Sequence, residues 1–193
     1  MAFAEEDVVV AIQARLSSSR LPGKVLMDLR GEPMLKRVYD ACAGPWRRTI
    51  LTSTHGRDAQ ISFWCRRQGI SCVRGDLEDV LSRYVTVAER ARPKCLVRVC
   101  GDAPFMERAW IQDAVIESAG RHPAFKPGAL HAGHWTHWMQ ANEWCEKSDR
   151  EHAGHGWFHD HGAHLPGVPT SHFTVNTIED LDRAREQWAA KPG

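Results

Sequence analysis

The sequence predicts an α/β fold: a mainly parallel central sheet flanked by helices. Three observations carry that expectation. Short β-branched runs alternate with amphipathic helical stretches through the first 120 residues, which is the pattern of right-handed βαβ units. The first run, Val8 to Ala14, is apolar almost throughout, as a strand covered on both faces must be. It ends in a cationic, hydroxyl-rich loop, and in an open α/β sheet the carboxyl end of a strand is where ligands bind.

Each element follows in order. After the first strand, Glu32-Pro33 opens a helix with Met34, Leu35, Val38, Tyr39 and Cys42 on one face, stopped by Gly44-Pro45. Thr49 to Thr52 reads as the second strand. Asp58 reads as the cap of a helix running to Gln68 and closed by Gly69, and Ser71 to Val73 as the third strand. Leu77 to Arg92 is helical by period, with Val80, Leu81, Tyr84, Val87 and Ala88 facing inward. Leu96 to Val99 makes a fourth strand and Glu107 to Ser118 the next helix.

Beyond Ser118 the alternation weakens. Gly120 to His131 has no period, Trp135 to Cys145 reads as helix, and Asp149 to Leu165 supports no single assignment. His172 to Val175 reads as a last short strand. Ile178 to Ala190 reads as a C-terminal helix, with Thr177 as N-cap and Glu179 and Asp180 favourable in its first turn. No internal repeat or linker divides the chain. One domain over 1–193 is expected, with 1–120 as its α/β core and 121–193 completing it.

Composition narrows the function classes. The chain has 193 residues, 42% hydrophobic and 25% charged, with a net charge of +1. Such a balance excludes a disordered or generally polyanion-coating protein. No apolar run approaches the 18 or so residues that span a bilayer, and Met1 to Asp7 is acidic and too short for a signal peptide. A soluble cytoplasmic protein without nucleic-acid or membrane partners is the expectation. Six cysteines without CxxC spacing read as reduced thiols in that compartment.

Nine of the 11 histidines lie between His131 and His172. His131, His134 and His137 recur at helical spacing, which permits a transition-metal site, but Gly133, Gly154, Gly156, Gly162 and Gly167 break up the segment. A structural role is the simpler reading.

The informative segment is Arg15-Leu-Ser-Ser-Ser-Arg20-Leu-Pro-Gly-Lys24. Residues 11–50 carry eight Lys or Arg against three acids, a local excess of +5 in a nearly neutral chain. Arg offers phosphate paired donors and Lys a compact charge, so a polyphosphate is the natural guest. Neither GxxxxGK[ST] nor GxGxxG is present, which removes the main support for an ATPase or a dinucleotide-dependent dehydrogenase.

The run Ile12-Gln-Ala-Arg-Leu-Ser-Ser-Ser-Arg-Leu-Pro-Gly-Lys-Val-Leu26 resembles the signature loop of the cytidylyltransferases, the group of the CMP-KDO and CMP-acylneuraminate synthetases, and in particular its SpsF-like branch. Gly31-Glu-Pro-Met-Leu35, Arg74 to Tyr84, Val97 to Pro104, Asp149-Arg-Glu-His152 and Phe173 to Leu181 extend the resemblance over about four fifths of the chain. It implies a Rossmann-like nucleotide-diphospho-sugar transferase fold and an enzyme that moves CMP from CTP to an acceptor oxygen. It also implies Arg15, Lys24 and Asp102 as catalytic residues. Ala14, Arg15, Ser17, Ser19, Arg20, Lys24, Arg83 and Arg98 would hold the nucleotide, and Asp102 and Asn176 a Mg²⁺ ion. The family's dimerisation implies a homodimer.

Two departures shape the expectation. Asn176 stands where the family has a second metal-binding carboxylate, which predicts weaker Mg²⁺ binding. Some tens of residues are missing after the helix ending near Ser118, with Lys126-Pro127-Gly128 as a remnant. The acceptor pocket is therefore expected to be rebuilt from Trp135, Trp138 and the His-rich segment, around a small anionic acceptor (a sugar acid, phosphonate or phosphate) rather than a nine-carbon sugar acid. A nucleotidyltransferase using another NTP, and a catalytically impaired nucleotide-binding protein, are the alternatives. Arg98, charged among apolar neighbours, needs a partner: Asp102, Asp79 or substrate.

Overall fold

In the computed structural model, which describes residues 4–119, 123–126, 130–165 and 173–190, the strands form one seven-stranded sheet in the order β3-β2-β1-β4-β6-β5-β7. Its parallel half is β1 (Val8–Gln13), β2 (Arg47–Ser53), β3 (Cys72–Gly75) and β4 (Cys95–Cys100), with β1 between β2 and β4. Val10, Ala11 and Ile12 are fully buried, because helices cover both faces of this strand. Helices α1 (Met34–Ala41), α2 (Ala59–Arg67), α3 (Val80–Ala91) and α4 (Arg108–Ser118) alternate with these strands as expected.

One boundary and one cap differ from expectation for identifiable reasons. Helix α3 begins at Val80 and not at Leu77, because the Asp76 carboxylate accepts from the N–H groups of Glu78 and Asp79, both at 2.8 Å. Those two bonds shape a turn ahead of the helix. Asp79 then caps the helix by accepting from Ser82 N at 3.0 Å. Asp58 precedes α2 but makes no side-chain cap bond to it. Its fully buried carboxylate is used elsewhere, described below.

The aperiodic stretch after Ser118 contains a hairpin. Strands β5 (Ala124–Lys126) and β6 (Leu130–Gly133) pair antiparallel, and β6 pairs antiparallel with β4, so the sheet changes direction there. Residues 127–129, which include Pro127 and Gly128 of the expected remnant, lie outside the described residues. The segment from 135 onward forms α5 (Trp135–Trp144), α6 (Lys147–Glu151), α7 (His155–His161) and the two-residue β7 (Ala163–His164), which pairs parallel with β5.

Of the expected strand His172 to Val175, His172 lies outside the described residues and 173–176 take no place in the sheet. That stretch is tied to the end of β4 by the bond from Val175 N to Asp102 O, at 2.9 Å. The C-terminal helix α8 (Ile178–Ala189) starts with the expected cap. Thr177 Oγ1 accepts from Asp180 N, and the Asp180 carboxylate accepts in return from Thr177 N and Asn176 N.

The apolar core lies on both sheet faces. Val8, Val10, Ile12, Ile50 and Val97 meet α1, α2 and α4 on one side. On the other, Val9, Ala11, Leu51 and Leu96 meet α3, α5 and α7. A third cluster of Leu29, Met34, Phe105, Val175 and Leu181 fastens α8 beside the loop that follows β1.

Candidate nucleotide site

A cavity of about 450 Å³ opens at the carboxyl ends of β1 and β4, lined among others by Gln13, Arg15, Arg20, Lys24, Arg98 and Asp102. Its position is set by topology, since the chain leaves both strands there into loops. Glycine makes the junction close enough. Gly101 N donates to Gln13 O at 2.8 Å, and a Cβ on residue 101 would lie 2.8 Å from that same oxygen.

The loop after β1 is braced from beneath. Asp58 Oδ1 accepts from Leu16 N at 2.7 Å, and Asp58 Oδ2 accepts from the Ser53 hydroxyl. A fully buried carboxylate with two donors is satisfied where a free one would be costly. Gly23 N closes the loop onto Leu16 O at 2.9 Å, with Gly23 in the left-handed region at φ 77°. Arg15, Ser19 and Arg20 are left exposed on the cavity wall, which Ala14 and Ser18 also line. Ser17 is not on that wall; its Oγ is buried with no hydrogen-bond partner among the described residues, so Ser18 lines the cavity where Ser17 was expected.

Lys24 is buried, and its ammonium is fully engaged. Nζ pairs with Asp102 Oδ2 and donates to Val175 O at 2.6 Å and to Asn176 Oδ1 at 3.2 Å. An ammonium has three donors, and all three are used. Asp102 and Asn176, far apart in sequence, thus turn their oxygens onto one cationic centre. Asn176 Nδ2 is taken by Thr174 Oγ1 at 3.0 Å, which fixes the amide with its oxygen toward that centre. The donor set, a carboxylate and an amide oxygen, suits a hard cation that completes its shell from phosphate oxygens.

Arg83 and Arg98 both reach the cavity. Arg83, with 1% of its surface exposed, donates to Asp76 O at 2.7 Å and Leu77 O at 2.8 Å, so it supports the turn before α3. Burial lowers its affinity for the proton from the ordinary arginine value. Among the described residues Arg98 forms no ion pair with either carboxylate expected of it, although Asp102 is near enough to favour its charge. Nε donates to Gln13 Oε1 at 3.3 Å and Nη1 lies 3.1 Å from His131 Nδ1. Asp79 instead binds Arg150, at 2.6 Å from Nη2 and 2.9 Å from Nε. The Tyr84 hydroxyl also donates to Gln13 Oε1, at 2.9 Å, and burial pushes its phenol well above the ordinary value.

Glu78, Glu151 and His152 line the same cavity and were not anticipated from the sequence as site residues. The signal was present in Asp149-Arg-Glu-His152, whose last two members reach the wall while the first two hold the segment. Asp149 accepts from Gly156 N at 2.8 Å, Trp157 N at 3.2 Å and the Cys145 thiol at 3.0 Å. Although burial works the other way, these bonds hold its carboxyl below the usual value.

Trp138 does not rebuild an acceptor pocket. Fully buried, it stacks on Tyr84 with centroids 4.8 Å apart and donates to Leu96 O at 3.2 Å. Its ring is packed and its indole N–H is satisfied, as a core tryptophan requires. The Trp135 side chain lies outside what is described. Among the described residues, no three His, Cys, Asp or Glu side chains converge as a metal cluster. Local bonds occupy several of the histidines. His134 and His137 form a reciprocal cap on α5, and His161 stacks on Trp157 at 4.6 Å.

The cytidylyltransferase family model matches residues 9–151. The spore coat polysaccharide biosynthesis protein SpsF of Bacillus subtilis (strain 168) is 37% identical over 108 residues, covering 52% of this chain and 45% of its own. The 3-deoxy-manno-octulosonate cytidylyltransferase of Geobacter sulfurreducens is 33% identical over 128 residues, covering 64% and 50%. The chain thus spans about half the length of these relatives. In three dimensions it shares the fold of a cytidylyltransferase from Leptospira borgpetersenii, with TM-score 0.81 and 19% identity over 97% of this chain and 88% of that one. A CMP:2-keto-3-deoxy-manno-octonic acid synthetase solved with CTP gives a TM-score of 0.78 at 17% identity, covering 94% and 98%. The stretch that matches the family model carries the braced loop, Lys24 and Asp102, and the chain belongs to the cytidylyltransferase family.

Proposed function

We propose that this chain transfers CMP from CTP to an oxygen of a small anionic acceptor and releases pyrophosphate. The observation that carries this reading is the convergence of Arg15, Arg20, Lys24, Arg98 and Asp102 on one cavity at the ends of β1 and β4. The relatives named for 3-deoxy-manno-octulosonate support a sugar acid as the acceptor class.

In this reading an acceptor oxygen attacks the α-phosphorus, the bond to the bridging α–β oxygen breaks, and that electron pair leaves on pyrophosphate. The chain contributes mainly position and charge. Arg15, Ser19 and Arg20, with the loop backbone from Ala14, hold the β- and γ-phosphates. Arg98 and Arg83 face the nucleotide from the cavity wall. Lys24 keeps Asp102 and Asn176 oriented. These two residues would hold Mg²⁺, which when bound supplies charge neutralisation at the phosphate oxygens. Glu78, Glu151 and His152 lie within reach of the acceptor in the same cavity.

A cytoplasmic homodimer belongs to the same reading. Six cysteines without disulfides support a reducing compartment, and the homodimer rests on the family resemblance alone. No helix among the described residues is long and apolar enough to cross a membrane.

The test is thermal stabilisation by CTP, UTP, ATP and GTP, with and without Mg²⁺, followed by pyrophosphate release with candidate acceptors. Ligand at 100 times its dissociation constant adds roughly 2.7 kcal/mol. Selective stabilisation by CTP, deepened by Mg²⁺, is the expected result. An equal response to all four nucleotides would remove the cytidine assignment, and no response would remove the nucleotide site.

A further inference from the structure

Arg98 is held from behind by imidazoles that the nucleotide-transfer reading leaves without a task. Arg98 and His131 are directly opposite in the antiparallel register of β4 and β6. A guanidinium only donates, so at 3.1 Å His131 Nδ1 is the acceptor, and the ring proton lies on Nε2. Nε2 lies 2.9 Å from His155 Nδ1, which must then accept, leaving the His155 proton on its own Nε2. The wiring therefore has one direction: Arg98 to His131 to His155.

Packing fixes the rings. His131 has 1% of its surface exposed and lies nearly parallel to Phe158, at 7° with centroids 5.3 Å apart. The sheet sets its Cα, Phe158 sets its plane, and His155 sets which nitrogen faces Arg98. Gln13 Oε1 takes the guanidinium's Nε, while Nη2 takes part in neither bond. Two of the three guanidinium nitrogens are thus held, while the side chain itself lines the cavity.

We propose that His131, oriented by His155, is a positioning residue that aims the Arg98 guanidinium at the nucleotide. The inference rests on the nucleotide-binding reading of the cavity. A guanidinium gives paired, directional bonds to a phosphate only when its plane is set, so losing the acceptor behind it should weaken binding without touching the ligand.

The experiment measures CTP affinity with Mg²⁺ by calorimetry on the whole chain, for wild type, His131→Leu, His131→Asn, Arg98→Met and the His131→Leu/Arg98→Met double variant. Asn offers an oxygen where Nδ1 stood, so His131→Asn should stay within about threefold of wild type, whereas His131→Leu should lose roughly tenfold, the scale of one bond to a charged group. In the double variant His131→Leu should add nothing to Arg98→Met, since it acts only through that arginine. Equal losses for Leu and Asn, or additivity with Arg98→Met, would overturn the proposal as mere packing. If wild type binds CTP and His131→Leu binds it equally well, positioning fails alone. If wild type does not bind CTP, both readings fail.

A second measurement needs neither ligand nor a fragile variant. Long-range ¹H–¹⁵N correlation on wild type should find the His131 proton on Nε2. A proton on Nδ1 would overturn the wiring.

Discussion

Residues up to Ser118 and residues 123–165 build the two halves of one sheet by different means. In the first half β1, β2 and β4 are strands of six or seven mostly buried residues between helices of regular period. In the second, strands of two to four residues carry little apolar surface, and the order comes from paired rings and buried polar bonds. Trp138 on Tyr84, His131 on Phe158 and Asp149 under the start of α7 are the joints. A parallel sheet is specified by repeated hydrophobicity, whereas a short antiparallel extension is specified by particular partners.

The largest effect expected from breaking this contrast comes from Trp138→Ala. It removes the stack on Tyr84 and a buried indole donor from the second half, and should cost about 3–5 kcal/mol. Chemical denaturation should show a lower midpoint. A loss below about 1 kcal/mol, the size of an ordinary surface change or less, would mean that the second half is not organised around this ring.

Asp58→Ala is the counterpart in the first half. It leaves Leu16 N–H and the Ser53 hydroxyl without their acceptor, at about 1–3 kcal/mol. Because the same bond braces the loop, CTP binding should fall along with stability. Calorimetry showing unchanged affinity would separate the brace from the site.

Asn176→Asp is the mildest change and sharpens the comparison at the point where the C-terminal segment meets the first half. An added negative charge beside Asp102 and Lys24 should tighten Mg²⁺ in the presence of CTP by about 1–2 kcal/mol, roughly 5- to 30-fold. Titrating Mg²⁺ against pyrophosphate release reads this. No gain would count against Asn176 as a metal-side residue.

The same contrast explains what the sequence disclosed. The order of β1 to β4 and α1 to α4 was legible because each element has its own period and stop. The loop was legible because its charges are clustered over ten residues. The brace was not: Asp58 before a helix has the appearance of an N-cap, and nothing local reveals that its carboxylate points back to Leu16 and Ser53. Nor did Arg98 disclose its partner, because His131 is brought opposite it by a hairpin too short to show a period. Trp138 drew attention as an acceptor contact because aromatics serve binding and packing equally well, and only burial distinguishes the two uses.

The Asp58 brace also bears on time. Backbone that must be ordered during an encounter costs roughly 1–2 kcal/mol per residue, and that search slows capture. Here Leu16 N is already tied to Asp58 and Gly23 N to Leu16 O, so the corner of the loop holds its shape before any anion arrives. What then governs the rate of arrival is the field of the exposed Arg15 and Arg20, a long-range attraction that dissolved salt weakens. Braced backbone beneath exposed charge separates the two tasks: the arginines recruit, and the corner receives.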